Sequence, residues 1–204
     1  MASWSSRRSR GAEVELPAIA EGVRLLDQAL RSAAIPHAFG GAIAYGLYGL
    51  PRGTNDWDIN VFCSEEQAPE VFSALATVGV ESSPASVQEV RAKGQVRLAW
   101  GDKRVDIFFA YSPFHEAARR RIRESQFEGS RIWVLSAEDI VIFKVIFNRP
   151  HDWRDIERVC HRMGDALELE YVNHWLGEVL GEDDGRIGRL ANTVAAARTL
   201  MDGG

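Results

Sequence analysis

The chain has 204 residues, 46% apolar and 26% charged, enough to bury the core of one large domain or of a catalytic unit with a helical extension. A net charge of −5 excludes a polycation that coats nucleic acid, and two cysteines, Cys63 and Cys160, give neither a disulfide framework nor a zinc signature. No apolar run approaches the roughly 18 residues needed to cross a bilayer and no secretory leader precedes the fold, so the expectation is a cytoplasmic protein without a membrane partner.

In chain order, residues 1–13 are expected to form a disordered tail, whose Arg7, Arg8 and Arg10 are either solvated or in contact with RNA. From Pro17 to Ile35, Val23, Leu26 and Leu30 recur at helical spacing, and Pro36 closes the helix. The segment Pro36 to Phe39 extends into Gly40-Gly41, where missing Cβ atoms let backbone N–H groups approach a ligand. A helix over 42–48 would then begin beside a bound phosphate.

In Asp56 to Phe62, Trp57, Ile59 and Val61 alternate with polar residues, the period of a half-buried strand. Asp56 and Asp58 therefore share a face, about 6.6 Å apart. Such a pair can share one metal ion or span two ions held about 3.5–4 Å apart. Two acids at the mouth of a strand also serve as solvated edge residues.

Glu65 to Val78 reads as a helix, and Gly79 to Gly94, with its Ser82-Ser83-Pro84, as a loop holding one short helix at most. Val96 to Trp100 and Arg104 to Ala110 flank Gly101-Asp102-Lys103 as a hairpin. Its second arm places Arg104, Asp106 and Phe108 on one face, and an acid in so apolar a strand needs a partner such as an arginine or backbone donors. Arg119, Arg120, Arg121 and Arg123 form either an anion-binding cluster or a solvated helix end.

Arg131 to Leu135 reads as a strand, Ser136 as a helix cap, and Ile140 to Phe147 as an apolar helix interrupted by Lys144. Pro150 ends that helix and starts another, on which Asp152 and Asp155 share a face as structural anchors. Residues 166–201 read as two helices divided at 181–185, each with an apolar stripe.

Gly40-Gly41 followed by Arg52-Gly53-Thr54-Asn55-Asp56-Trp57-Asp58 resembles the signature of the polymerase-beta-like nucleotidyltransferases. The resemblance is nearest to the small bacterial branch of abortive-infection and toxin-type enzymes. Residues 135–156 resemble the second motif block of that branch, with His151 where many relatives carry Arg or Lys. The resemblance implies an α+β fold, a mixed β-sheet flanked by helices over 14–135, followed by a helical C-terminal region over 136–204.

It further implies that Asp106 is the family's third carboxylate. Asp56, Asp58 and Asp106 would then cage two Mg2+ ions, with Mn2+ as an alternative, and Asp106 would take the acceptor proton. Gly40, Gly41, Arg52, Thr54 and Lys144 become the expected nucleotide contacts, although Lys144 can equally snorkel from a buried helix. The implied reaction moves a nucleoside monophosphate from a nucleoside triphosphate such as ATP to a hydroxyl on tRNA or another RNA, on protein or on a small molecule such as an aminoglycoside, releasing pyrophosphate. A toxin-type enzyme would have an antitoxin protein as partner. A non-catalytic relative that binds nucleotide or a partner protein is the competing expectation.

Overall fold

The sheet is assembled from β1 (His37–Phe39), β2 (Asp56–Val61), β3 (Gln95–Trp100), β4 (Lys103–Phe109), β5 (Arg123–Phe127) and β6 (Ser130–Val134). The structure, a computed structural model, describes residues 18–202, so the expected tail with Arg7, Arg8 and Arg10 lies outside the described residues. Strand order is β3-β4-β2-β1-β6-β5. The β2–β4 and β1–β6 pairs are parallel, whereas β1–β2, β3–β4 and β5–β6 are antiparallel. This mixed sheet flanked by helices is the expected α+β architecture.

Strand alternation divides the sheet into two faces. Trp57, Ile59, Val105, Ile107 and Leu98 are buried on one face, beneath α1 (Ile19–Ser32) and α3 (Ala68–Ala76). Trp57 is pinned there, its Nε1 donating to the Ile19 carbonyl at 3.1 Å. Gly22 on α1 lies against the same ring, since a Cβ at that position would approach Trp57 Cζ2 to 2.2 Å. Asp56, Asp58 and Asp106 alternate onto the opposite face, which therefore stays open to a cleft.

That second face is bordered by α2 (Gly41–Tyr48), α6 (Ala137–Phe147) and α7 (Pro150–Met163), with α2 packed against both α6 and α7. Ser136 caps α6 by accepting from the Asp139 N–H at 3.2 Å, as its sequence position predicts. The helix stops at Asn148 in the left-handed conformation, and Pro150 opens α7. The chain continues through α8 (Leu169–Leu180) and α9 (Gly185–Asp202), the predicted helical pair. Among the described residues no helix is long and apolar enough to cross a membrane. Cys63 and Cys160 are free, and burial pushes both thiols up to about 11.

Two local expectations are corrected. Residues 84–93, read as largely loop, form the ten-residue helix α4 (Pro84–Lys93). Ser83-Pro84 is its cap and first turn rather than a free turn: Ser83 Oγ accepts from Ser86 N–H at 3.3 Å and Ser86 Oγ from Ser83 N–H at 3.1 Å. The helix escaped periodicity because Val90 is its one buried residue. Arg123, grouped with the arginines of α5 (Pro113–Arg121), instead begins the edge strand β5, paired with Val134.

Candidate active site

Parallel pairing of β2 and β4 sets Asp56 beside Arg104 and Asp58 beside Asp106. Adjacent strands lie about 4.8 Å apart, so Asp58 and Asp106 stand shoulder to shoulder on the open face. With Asp56 they line a cleft of about 270 Å³. Gly41, Arg52, Thr54 and Lys144 line the same cleft, so most of the sequence-selected residues converge there. Gly40 is buried behind it, its N–H donating to the Asp58 carbonyl at 2.8 Å.

Gly41 opens α2 with φ +48°, and a Cβ on it would fall 1.8 Å from Asp58 Oδ2. Glycine is required here because the Asp58 carboxylate lies directly against the backbone. The Asp58 carboxylate accepts no hydrogen bond from a described residue. Burial first, then the neighbouring charges of Asp106 and Asp56, push its carboxyl up to about 6. Thr54 fixes the start of β2, since its hydroxyl donates to the Asp56 carbonyl at 3.1 Å and accepts from the Asp56 N–H at 3.2 Å. Asp56 Oδ1 is buried without a hydrogen-bond partner, although the Arg104 Nε lies 3.5 Å away.

Asp106 is already engaged. Arg97, opposite it on β3, donates through Nε to Oδ1 and through Nη2 to Oδ2, both at 2.7 Å. An arginine partner for Asp106 is among the expectations from the sequence, although Arg97 itself was not singled out there. A fork of this kind sets a cation and a preferred orientation against the third carboxylate.

Lys144 is only 6% exposed, so it does not snorkel to solvent. Its ammonium donates to Asp155 at 2.8 Å and to Asp152 at 3.4 Å and lies 5.3 Å from the centre of the Tyr45 ring. Asp152 and Asp155 thus act as anchors, holding the cation between α6 and α7. Arg52 reaches the same group, 3.6 Å from Asp155. Arg149 donates to Asp152 through Nε at 2.7 Å and lines the cleft, where Asp58 and Asp106 help hold its guanidinium protonated.

Arg97, Arg149 and Asn60 belong to the cleft but were not singled out from sequence. Asn60 follows Asp58 on the same strand face, and its Oδ1 is buried and unpartnered. The arginines of α5 lie elsewhere. Arg119 and Arg120 pair with Glu116, whereas Arg121 binds Glu138 and Glu168 and ties α5 to the helical region.

Oxygen ligands from Asp56, Asp58 and Asp106, with orphaned Oδ1 atoms on Asp56 and Asn60, suit a hard cation such as Mg2+. Among the described residues no three His, Cys, Asp or Glu side chains are already closed around one point, and Arg97 occupies both oxygens of Asp106. The residue types fit, and a metal on Asp106 would share its carboxylate oxygens with, or take them from, the Arg97 fork.

No protein-family model matches the sequence, and no curated protein matches it. Solved structures do. ANT(2'')-Ia in complex with adenylyl-2''-tobramycin is 15% identical, with a TM-score of 0.50 over 89% of this chain and 98% of that one. The lincosamide antibiotic adenylyltransferase LnuA, lincomycin-bound, is 15% identical at a TM-score of 0.48, over 71% of this chain and 98% of its own. An antigenic nucleotidyltransferase-like protein from Paracoccidioides brasiliensis is 17% identical at a TM-score of 0.48, over 87% and 92% of the two chains. The chain shares its fold with ANT(2'')-Ia.

Proposed function

We propose that this protein is a divalent-metal-dependent nucleotidyltransferase that moves a nucleoside monophosphate from a triphosphate to a hydroxyl acceptor. One observation carries the reading: Asp58 and Asp106 stand in register on adjacent parallel strands, with Asp56 on the same face, at the base of one cleft. The match to the ANT(2'')-Ia fold supports it at the level of architecture.

Asp56, Asp58 and Asp106 would hold the metal, which when bound supplies Lewis-acid stabilisation of phosphoryl charge and a more acidic acceptor hydroxyl. The chain's own groups do the rest. Gly41 admits the Asp58 carboxylate against the start of α2, and Thr54 fixes the backbone of Asp56. Arg149 and Arg52, at the rim, offer cationic donors to the triphosphate. Lys144 acts at closer range only if the triphosphate draws it from Asp152 and Asp155.

Asp106 accepts the proton of the attacking hydroxyl. The oxygen–phosphorus bond to the acceptor forms at the α-phosphorus, the bond between the α-phosphorus and the bridging oxygen breaks, and pyrophosphate departs with its electron pair. Incubating the protein with α-labelled triphosphates, Mg2+ and a cell extract tests this directly, with labelled acceptor and pyrophosphate expected in equal amounts.

A second reading is a non-catalytic nucleotide-binding protein. The Arg97 fork gives Asp106 a structural ion pair, the state in which it would serve a non-catalytic nucleotide-binding protein. Metal-dependent triphosphate binding without pyrophosphate release would favour it.

A further inference from the structure

A second cavity, of about 310 Å³, adjoins the acid cleft and shares Phe108, Phe143 and Phe147 with it. It is walled largely by rings. Phe143 and Phe147 stack with centroids 6.3 Å apart, Phe108 lies 5.9 Å from Phe147, and Trp175 of α8 closes the far side, 5.7 Å from Phe114. The volume lies near the lower end of ligand sites, which span roughly 300–1,000 Å³.

Polar groups break the apolar lining at Gln95, Tyr111, Ser112, His115 and Glu178, and the last two bear on the charge of a ligand. His115 is 4% exposed; its Nδ1 is engaged by the Ser112 hydroxyl at 2.8 Å, and its Nε2 has no partner among the described residues. Burial lowers its pKa to about 4, so near neutral pH it offers the cavity an uncharged ring nitrogen. Glu178, exposed on α8, adds a negative charge to the lining.

The cavity's position relative to the acids gives it a role. Phe108 follows Asp106 by two residues on β4, so the two share a strand face about 6.6 Å apart. A compound whose ring lies against Phe108, Phe143 and Phe147 can therefore hold a substituent beside the third carboxylate. Flat apolar rings gain stacking and burial there, and a neighbouring ammonium is favoured by both Glu178 and the ring faces. An anionic acceptor is disfavoured by the same carboxylate.

We propose that this aromatic cavity is the acceptor subsite, taking a small neutral or cationic alcohol with a flat apolar ring rather than a polymer or a polyhydroxylated sugar. The proposal rests on the nucleotidyltransferase reading. It identifies the acceptor class by the surface that would hold it.

Three probes test it: 2-amino-1-phenylethanol, mandelate with the same ring and hydroxyl but a negative charge, and glucosamine with ammonium and hydroxyls but no apolar ring. The readout is the Trp175 indole N–H signal in 1H–15N spectra of the full chain. Phenylethanolamine is expected to shift it saturably, mandelate to bind at least about threefold more weakly, and glucosamine to leave it unmoved. Glu178→Lys, a surface change, should reverse the order of the first two. Val179→Trp, at the exposed mouth, should block both.

No saturable shift from phenylethanolamine, or an equal one from glucosamine, overturns the proposal. So does transfer to another acceptor class that leaves the Trp175 signal unmoved, although nucleotidyl transfer itself then stands. Binding of phenylethanolamine at Trp175 without any nucleotidyl transfer overturns both the acceptor role and the functional reading, leaving a binding cavity alone.

Discussion

Arg97 and Asp106 face one another across the β3–β4 hairpin and form a two-pronged ion pair, both hydrogen bonds 2.7 Å long. The pair places a cation of the protein where a metal would compete for the same carboxylate oxygens. Arg97 is 56% exposed in its side chain, so the pair is screened by water and holds Asp106 only weakly. Replacing Arg97 with Gln should therefore tighten Mn2+ binding by no more than about fivefold, the equivalent of roughly 1 kcal/mol. Titration followed by electron paramagnetic resonance checks this, and weaker Mn2+ binding would show that Arg97 supports the site instead of blocking it.

Asp56→Asn, Asp58→Asn and Asp106→Asn should each lower nucleotidyl transfer by at least about 10³-fold, since losing one metal-binding charge removes several kcal/mol of transition-state stabilisation. Initial rates with labelled triphosphate provide the measurement. Near-native activity in any one variant removes that acid from the catalytic set.

The Asp58 variant has a second, opposite signature. A folded carboxyl titrating near 6 binds its proton more readily than in the unfolded chain, so the metal-free protein loses stability as pH rises from about 4 to about 6. Above pH 7, Asp58→Asn should thus raise metal-free stability by up to about 3 kcal/mol, an advantage that shrinks towards pH 4. Denaturant unfolding at the two pH values with chelator present checks both sign and window.

Burial of His115 acts in the other direction. Its folded pKa of about 4 lies below the ordinary value, so the folded protein loses stability as pH falls from about 6.5 to about 4. Comparing wild type with His115→Gln should isolate a term of up to about 3 kcal/mol that is absent from the variant. A parallel pH dependence in both proteins would place the acid sensitivity elsewhere.

Lys144→Ala should first be a stability defect. It leaves Asp152 and Asp155 buried without their shared cation, a change that costs about 3–5 kcal/mol. Urea unfolding tests this before any kinetic effect is assigned to phosphate contact. A loss below about 1 kcal/mol would show that water or Arg149 readily replaces the ammonium.

Much of this fold was legible because its strands alternate cleanly. Trp57, Ile59 and Val61 oppose Asp56 and Asp58 in sequence and in space, and Ser136 and Pro150 mark the starts of α6 and α7 by local capping chemistry. Arg97 escaped because of one residue at a turn. Counting Gly101-Asp102-Lys103 as a three-residue turn sets Arg97 opposite Ile107, whereas the two-residue turn returns Lys103 to β4 and sets Arg97 opposite Asp106. Gly101 at φ +61° was the available signal, since glycine first in a two-residue loop marks a tight hairpin. Lys144 was legible as an isolated polar residue on an apolar helix, but its pairing with Asp155 is set by how α6 and α7 pack, which spacing along either helix does not reveal.

The most direct test of the central claim follows an α-labelled nucleoside triphosphate with Mg2+ and a cell-extract acceptor pool, comparing wild-type protein with Asp58→Asn. The wild type is predicted to label an acceptor and release one pyrophosphate per label, with both signals abolished by chelator and by the substitution. Equal labelling by wild type and Asp58→Asn, or metal-dependent triphosphate binding with no pyrophosphate released across the whole acceptor pool, would contradict nucleotidyl transfer at this cleft.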